Sequence, residues 1–388
     1  MDLNAVLRLG VEAGASDIHF KLGQPPMLRV DGQLAPAPKL PLVGEPQLDI
    51  ILDKLSLMAP RRRTLFDETG ELDVAYVDAG LPRFRVNGFR QRGSVSFAFR
   101  VIPSSIPSFE DLGLPPGVSR LAGEQRGLVL VTGATGSGKS TTLAAIIDHI
   151  NRTRRLHIVT IEDPIEILHG DRGCIVNQRE VGLDTESFHQ ALRRVLRQDP
   201  DVILIGELRD TETAEVALHA AESGHLVFST LHTVDAAETI GRLVEFFPPE
   251  KQALVVSTLA GVLRGVIAQR LLPRTDGGRV PAVEVMVANA RIAELIRERR
   301  VHEIGEAIDE GEFFEMQSFS TALVDLVLRG LVDAETAADA ATNRHDFLID
   351  LERAQKSARA AQAADARANG ESSDEDEDAL PALRIAGS

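Results

Sequence analysis

One eight-residue stretch, Gly133-Ala134-Thr135-Gly136-Ser137-Gly138-Lys139-Ser140, constrains this chain more than any other. It meets every fixed position of G-x-x-x-x-G-K-[ST]. An apolar run, Leu128-Val129-Leu130-Val131, precedes it. After it, Leu143, Ile146, Ile147 and Ile150 recur at helical spacing. Strand, glycine loop and helix in that order make a phosphate cradle. The glycines let backbone N–H groups turn toward phosphate oxygens with no Cβ in the way, and the helix N-terminus adds its dipole. Lys139 supplies a point charge for the β/γ-phosphates and the Ser140 hydroxyl can ligate Mg²⁺. Ala134, Thr135, Ser137 and Thr141 complete the nucleotide-binding set. A glycine-rich turn that matches by chance would account for neither flank. No N-K-x-D guanine-reading segment occurs, which favours ATP over GTP.

The texture around this loop is alternating strand and helix. His157-Ile158-Val159-Thr160-Ile161, Val202-Ile203-Leu204-Ile205 and Leu226-Val227-Phe228-Ser229-Thr230-Leu231 are expected as further buried strands. A helix between the last two is expected to start at Asp210 and stop at Gly224. The pattern predicts an α/β fold with a parallel, doubly wound sheet. From about residue 290 onward the pattern is helical only.

Residues 1–100 differ. Leu3, Val6, Leu7 and Val11 predict a helix, and residues 27–34 a hairpin turning at Asp31-Gly32. Residues 72–77, 84–86 and 95–99 alternate at period two, which predicts an antiparallel sheet with one wet face. Pro103, Pro107, Pro115 and Pro116 make residues 101–118 a linker, so the preceding sheet need not fold back onto its own phosphate loop. The expected division is therefore 1–100, linker 101–118, core 119–290, C-terminal helices 291–352, and an alanine-rich, acidic, disordered tail 353–388.

The net charge is −16, and six acids crowd residues 371–378. With one tyrosine, no tryptophan and no basic stripe, the chain is a poor candidate for general nucleic-acid binding, and none is expected. The single cysteine, Cys174, excludes an internal disulfide and a cysteine-built zinc site, and fits a reducing cytosol. No apolar run approaches the ~18 residues of a membrane span and no secretory signal is visible, so any membrane contact goes through a partner.

Three segments add chemistry to the loop. Glu162, Asp163 and Glu166 lie just past one strand, Glu207 ends another, and His225 and His232 bracket a third. Singly, loop acids are solvated and strand-end histidines structural. With a phosphate loop they make a hydrolysis site, in which one acid acts at the Mg²⁺ shell and another orients the attacking water.

At these residues the chain resembles the type II/type IV secretion ATPase superfamily and, within it, the type IV pilus retraction ATPases of the PilT/PilU type. The loop looks like their Walker A segment, residues 160–166 their Asp box, residues 199–207 an atypical Walker B, and residues 224–233 their His box. Gly14 to His19, Arg83-Phe84-Arg85-Val86-Asn87, Arg179-Glu180-Val181-Gly182 and Arg193 to Asp201 are similar as well. The resemblance runs from about residue 1 to 352. It implies a PAS-like N-terminal domain joined to a RecA-like ATPase domain, in a hexameric ring that works in the cytoplasm. Its implied partners are an inner-membrane pilus platform protein and a paralogous ATPase. By the same resemblance Glu166 is the catalytic glutamate and Glu207 the Walker B glutamate. His225 and His232 are the His-box residues. Arg85 and Arg100 are arginines of the N-terminal domain that reach the nucleotide, and Arg193 and Arg197 precede Walker B. On strands, Arg85 and Arg100 could equally solvate an open sheet face.

Where the family writes A-I-R-N-L-I-R-E, this chain has Ala293 for Arg and Glu294 for Asn. Two readings stay open, a retraction motor and an accessory PilU-like paralogue. Extension ATPases resemble longer chains with a four-cysteine metal site, and a DNA-handling ATPase conflicts with the acidic charge. A non-hydrolysing subunit conflicts with an intact Lys139, Glu166 and Glu207.

Overall fold

The computed structural model describes residues 2–30, 32–58, 60–102 and 105–368. The chain begins with helix α1 (Leu3–Glu12), whose start is capped by the Asp2 carboxylate accepting from the Asn4 N–H. There follow β1 (Asp17–Phe20), β2 (Met27–Val30), β3 (Gln33–Pro36), α2 (Glu45–Met58), α3 (Pro60–Thr69), β4 (Glu71–Tyr76), β5 (Phe84–Gln91) and β6 (Ser94–Val101). The six strands form one sheet in the order β3-β2-β1-β6-β5-β4, every pair antiparallel. Asp31, at the expected hairpin turn, lies outside the described residues.

Side-chain alternation sorts the two faces of this sheet. Phe20, Tyr76, Phe84 and Phe99 pack into a buried aromatic cluster, with Phe20 and Phe99 edge-to-face at 5.4 Å. The intervening residues form a polar row across four strands. In the strand register Arg29, Asp17, Arg100 and Arg85 stand successively opposite one another.

The second array contains α4 (Pro116–Ala122), β7 (Gly127–Thr132), α5 (Lys139–Thr153), β8 (His157–Glu162), β9 (Ile175–Glu180), α6 (Phe188–Val195), β10 (Val202–Ile205), α7 (Thr211–Glu222), β11 (Leu226–Leu231), α8 (Ala236–Glu245), α9 (Pro249–Val262), β12 (Leu263–Pro273), β13 (Arg279–Val287), α10 (Ala290–Arg297) and α11 (Ile304–Asp309). Its sheet has the order β13-β12-β7-β11-β10-β8-β9, and the run from β12 to β9 is parallel. Every residue of β7, β10 and β11 is buried, as their mainly apolar composition favours, and the buried Ser229 and Thr230 hydroxyls donate to the Ile205 and Gly206 carbonyls. Helix α7 starts at its Asp210 cap, and Gly224 follows it with φ of 109°.

The segment between the arrays is anchored. Phe109 is buried and stacks on His149 of α5 at 4.9 Å. Pro116 opens α4, where the missing N–H costs no helical bond. The arrays also touch directly. The Arg83 guanidinium pairs with the Glu180 carboxylate, and Arg62 Nη2 donates to the Val181 carbonyl at 3.2 Å. The N-terminal module thus rests on its own core at the end of β9, through Arg83 and, from α3, Arg62.

A separate unit gathers residues 272–278 and 319 onward, with helices α12 (Phe319–Leu328), α13 (Ala334–Ala340) and α14 (Arg344–Ala368). Within it Ser320 Oγ donates to Asp350 at 2.8 Å, and Phe347 is buried. Disorder is expected from residue 353, yet α14 runs on to Ala368. Alanine, arginine and glutamine are strong helix formers, and Glu352 and Lys356 pair one turn apart at 2.6 Å. The acidic run at 371–378 lies outside the described residues. No helix among the described residues is long and apolar enough to cross a membrane.

Candidate functional site

The phosphate loop joins β7 to α5 in a backbone shape that demands glycine. Gly133 has φ of 139°, and a Cβ there would stand 2.3 Å from the Gln269 carbonyl oxygen. Gly138, with φ of 93°, caps α5, and a Cβ there would meet Gln269 Nε2 at 2.8 Å. Ala134, Thr135 and Gly136 form the exposed lip of the loop. Beneath it Ser137 Oγ is buried with no hydrogen-bond partner among the described residues. That is the donor a phosphate oxygen would satisfy.

Lys139 is only 9% exposed, and its ammonium donates to the carbonyls of Gly133 at 2.6 Å and Ala134 at 3.0 Å. Burial pulls its pKa below the ordinary lysine value, against the opposing pull of Glu166. Ser140 and Thr141 sit on the first turn of α5, Ser140 exposed. Thr142, one residue on, is buried and donates to Gln269 Oε1 at 2.8 Å. Gln269 thus backs the loop from β12, where Ala268 pairs with Thr132. Sequence reasoning missed it. The available signal was a lone amide inside an apolar strand.

The carboxylates beyond β8 divide in two. Glu162 is tied off, accepting from Thr160 Oγ1 at 2.5 Å and Gln178 Nε2 at 3.1 Å, and burial pushes its pKa up. Glu166 is exposed, and no hydrogen bond or ion pair engages its carboxylate among the described residues. Its charge nevertheless acts on both Lys139 and Arg85. Glu207, past the end of β10, is held between Arg209 and His232 Nε2, the latter at 3.2 Å. Burial, then the charges of Lys139 and Arg209, keep the His232 pKa below the ordinary histidine value.

One sheet edge therefore collects the loop, Glu166, Glu207 and His232. Strands of a parallel sheet present their carboxyl ends together, which is where such folds bind ligands. Arg85 joins electrostatically from the N-terminal sheet while paired to Asp73 at 3.0 Å. Among the described residues no group of three or more His, Cys, Asp or Glu side chains could hold a metal ion. Mg²⁺ that keeps its water and phosphate oxygens needs only one or two protein oxygens. The Ser140 hydroxyl and Glu207 carboxylate fit that need.

Four expected residues lie elsewhere in the chain. His225 precedes β11, at the opposite sheet edge, with Nδ1 3.0 Å from the Ala220 carbonyl. Six strand residues put it about 20 Å from the loop, since the two ends of one strand cannot meet at one edge. Arg193 and Arg197 are exposed and line a groove of about 430 Å³ with His189, Glu212, Glu215 and His219. Helix α6 runs back toward the start of β10, and that direction carries both arginines away from the loop. Arg100 is 66% exposed and donates to Asp17 at 2.9 Å.

A family model described as "Type II/IV secretion system protein" matches residues 2–307. The type IV pilus retraction ATPase PilT of Pseudomonas aeruginosa is 46% identical over 347 residues, covering 89% of this chain and 100% of that one. The type IV pilus ATPase PilU of the same organism is 41% identical over 350 residues, 90% of this chain and 91% of its own. A crystal structure of the pilus retraction motor PilT with bound ADP superposes with a TM-score of 0.83 at 44% identity, covering 89% of this chain and 98% of that one. Loop, carboxylates and sheet order thus coincide with a likeness that spans most of the chain, which belongs to the type II/IV secretion ATPase family and, within it, to the PilT/PilU type.

Proposed function

We propose that this chain is a motor that converts ATP hydrolysis into retraction of a type IV pilus, working in the cytoplasm as a ring of six copies against a membrane-embedded platform protein. The observation that carries the reading is the gathering of Lys139, Glu166 and Glu207 at one sheet edge, in a chain that matches a pilus retraction ATPase over that protein's full length. In this reading residues 1–100 form the arginine-bearing module and residues 119–290 the hydrolytic core.

In this reading the site residues divide the work. Lys139 leaves the Gly133 and Ala134 carbonyls for the β/γ-phosphates, and Ser137 Oγ and the loop amides hold phosphate oxygens. Glu166, the unengaged carboxylate, takes the proton of the attacking water. Mg²⁺ supplies charge neutralisation on the phosphates when bound, held by Ser140 and, through water, by Glu207. His232 orients Glu207, and Arg85 offsets charge that builds on the transferred phosphoryl group. Arg100, two-thirds exposed and paired to Asp17, is the arginine that would serve a neighbouring subunit.

Deleting the gene and counting surface pili tests the reading. Excess immobile pili are expected, whereas bald cells would mean an extension motor and end the proposal. Ala293 and Glu294 on α10 favour a second reading, an accessory ATPase that works beside a paralogue. In that case normal pilus numbers appear until the paralogue is also removed.

A further inference from the structure

The contact that ties the N-terminal sheet to the core ends one residue from Glu166. Arg83 enters β5 with its carbonyl accepting from the Ile102 N–H at 2.9 Å, so its backbone belongs to the N-terminal sheet. Its guanidinium meets Glu180 at the end of β9, with the two side chains only 10% and 5% exposed. The same oxygen, Glu180 Oε2, accepts the N–H of Ile165 at 3.2 Å. Ile165 is buried, and the next residue is Glu166. Arg62 of α3 adds a second grip from the same module, on the Val181 carbonyl. The Asp184 carboxylate accepts from the Glu180 N–H at 2.8 Å and fixes the β9 end from the other side.

We propose that Arg83 and Glu180 are positioning residues. Together they hold the Ile165 amide, and through it they set Glu166, only while the N-terminal module is docked on its own core. A carboxylate this buried is stable only with a compensating cation and its hydrogen bonds satisfied. If the module swings away, Glu180 loses Arg83 and turns toward water. The Ile165 amide then loses its acceptor, and the loop that carries Glu166 relaxes. Hydrolysis in one subunit is thereby conditional on the placement of its own module, in addition to any cation from a neighbour. The inference rests on the reading of Glu166 as the group that takes the water proton.

The full chain in its assembled form gives the test, with kcat for ATP, Kd for ADP and thermal unfolding measured together. The double variant Arg83→Met/Glu180→Gln removes both charges at once and leaves no orphaned ion. We expect kcat to fall at least ~10-fold with ADP affinity within ~3-fold of wild type, the pattern of a lost transition-state contact. In a Glu166→Gln background the same pair of changes is expected to cost nothing further, because the group being positioned is already gone. A double variant with wild-type kcat overturns the inference. So does a loss of kcat matched by an equal loss of ADP affinity, which would mark the pair as a structural staple. Near-normal turnover by Glu166→Gln alone would instead remove the assignment of Glu166, and this inference with it. Should the double variant fail to assemble, Arg83→Lys keeps the charge but not the fork. A drop in kcat at unchanged ADP affinity supports the proposal there, and unchanged kcat defeats it.

Discussion

Arg85 and Arg100 stand directly opposite each other on β5 and β6, yet each is matched to a different carboxylate, Arg85 to Asp73 and Arg100 to Asp17. Like charges in facing positions repel, and the two aspartates offset that cost. Arg85 lies within electrostatic reach of its own Glu166, while Arg100 is the more exposed of the two side chains. Arg100 is thus the candidate for action on a neighbour. Lys139→Ala and Arg100→Ala are each expected to be nearly inactive alone. Mixed in equal amounts, they are expected to recover up to about a quarter of wild-type ATPase rate, since each interface needs two groups that are each intact about half the time. No recovery after confirmed subunit exchange would confine Arg100 to its own chain.

Glu166 and Glu207 are expected to separate in kinetics. Glu166→Gln keeps the shape and removes the proton acceptor. Mg-ATP binding is expected to survive while turnover falls ~10²-fold or more. Glu207→Gln is expected to weaken Mg²⁺ binding, seen as a higher Mg²⁺ concentration for half-maximal rate. Equal Mg²⁺ profiles for both variants would refute the division of labour.

His169 predicts an acid limit to stability. Burial lowers its pKa from 6.5 to about 4, with Asp148 opposing. Below pH 6.5 the unfolded chain takes up this proton while the folded chain resists it until about pH 4, so stability present at neutral pH is lost across that window. The shift corresponds to at most about 3 kcal/mol. Urea midpoints measured from pH 7 to pH 4 are expected to fall more steeply for wild type than for His169→Asn. Parallel curves would show that the histidine titrates normally.

A chain ending at Gln355 is expected to assemble and hydrolyse ATP at close to the full rate. The buried anchors of α14, Phe347 and Leu351, remain in it, and the residues removed include no buried side chain among those described. Failure to assemble, read by light scattering, would give the tail a structural role.

Much of the fold was legible because its central strands are short, mainly apolar runs. Those of β7, β8, β10 and β11 end in loops that carry their own chemistry. What was missed follows physically. Strand β9, Ile175–Glu180, is a polar edge strand without an apolar signature. Strand β12 begins directly after α9 with no turn residue between Val262 and Leu263, so neither periodicity announces the change. The loop and the carboxylates and histidines at strand ends were readable from local pattern and strand polarity, while the choice of Glu166 among the three acids after β8 came from the family resemblance. Gln269 and the Arg83–Glu180 contact are tertiary pairings across 127 and 97 positions, which no local pattern encodes.

The junction of α9 and β12 has a mechanical consequence. Leu263 is at once the cap of the helix and the first residue of the strand, with extended φ and ψ of −61° and 131°. A junction without a loop stores no slack. A displacement of α9 along its axis is passed to β12, and six residues further on it arrives at Gln269, which braces Thr142 behind the phosphate loop. The same stiffness works in reverse, so a change in the loop's shape on phosphate release pushes on the helix. In a machine that must turn bond cleavage into movement, these fourteen helical residues offer no loop in which that push could be absorbed before β12.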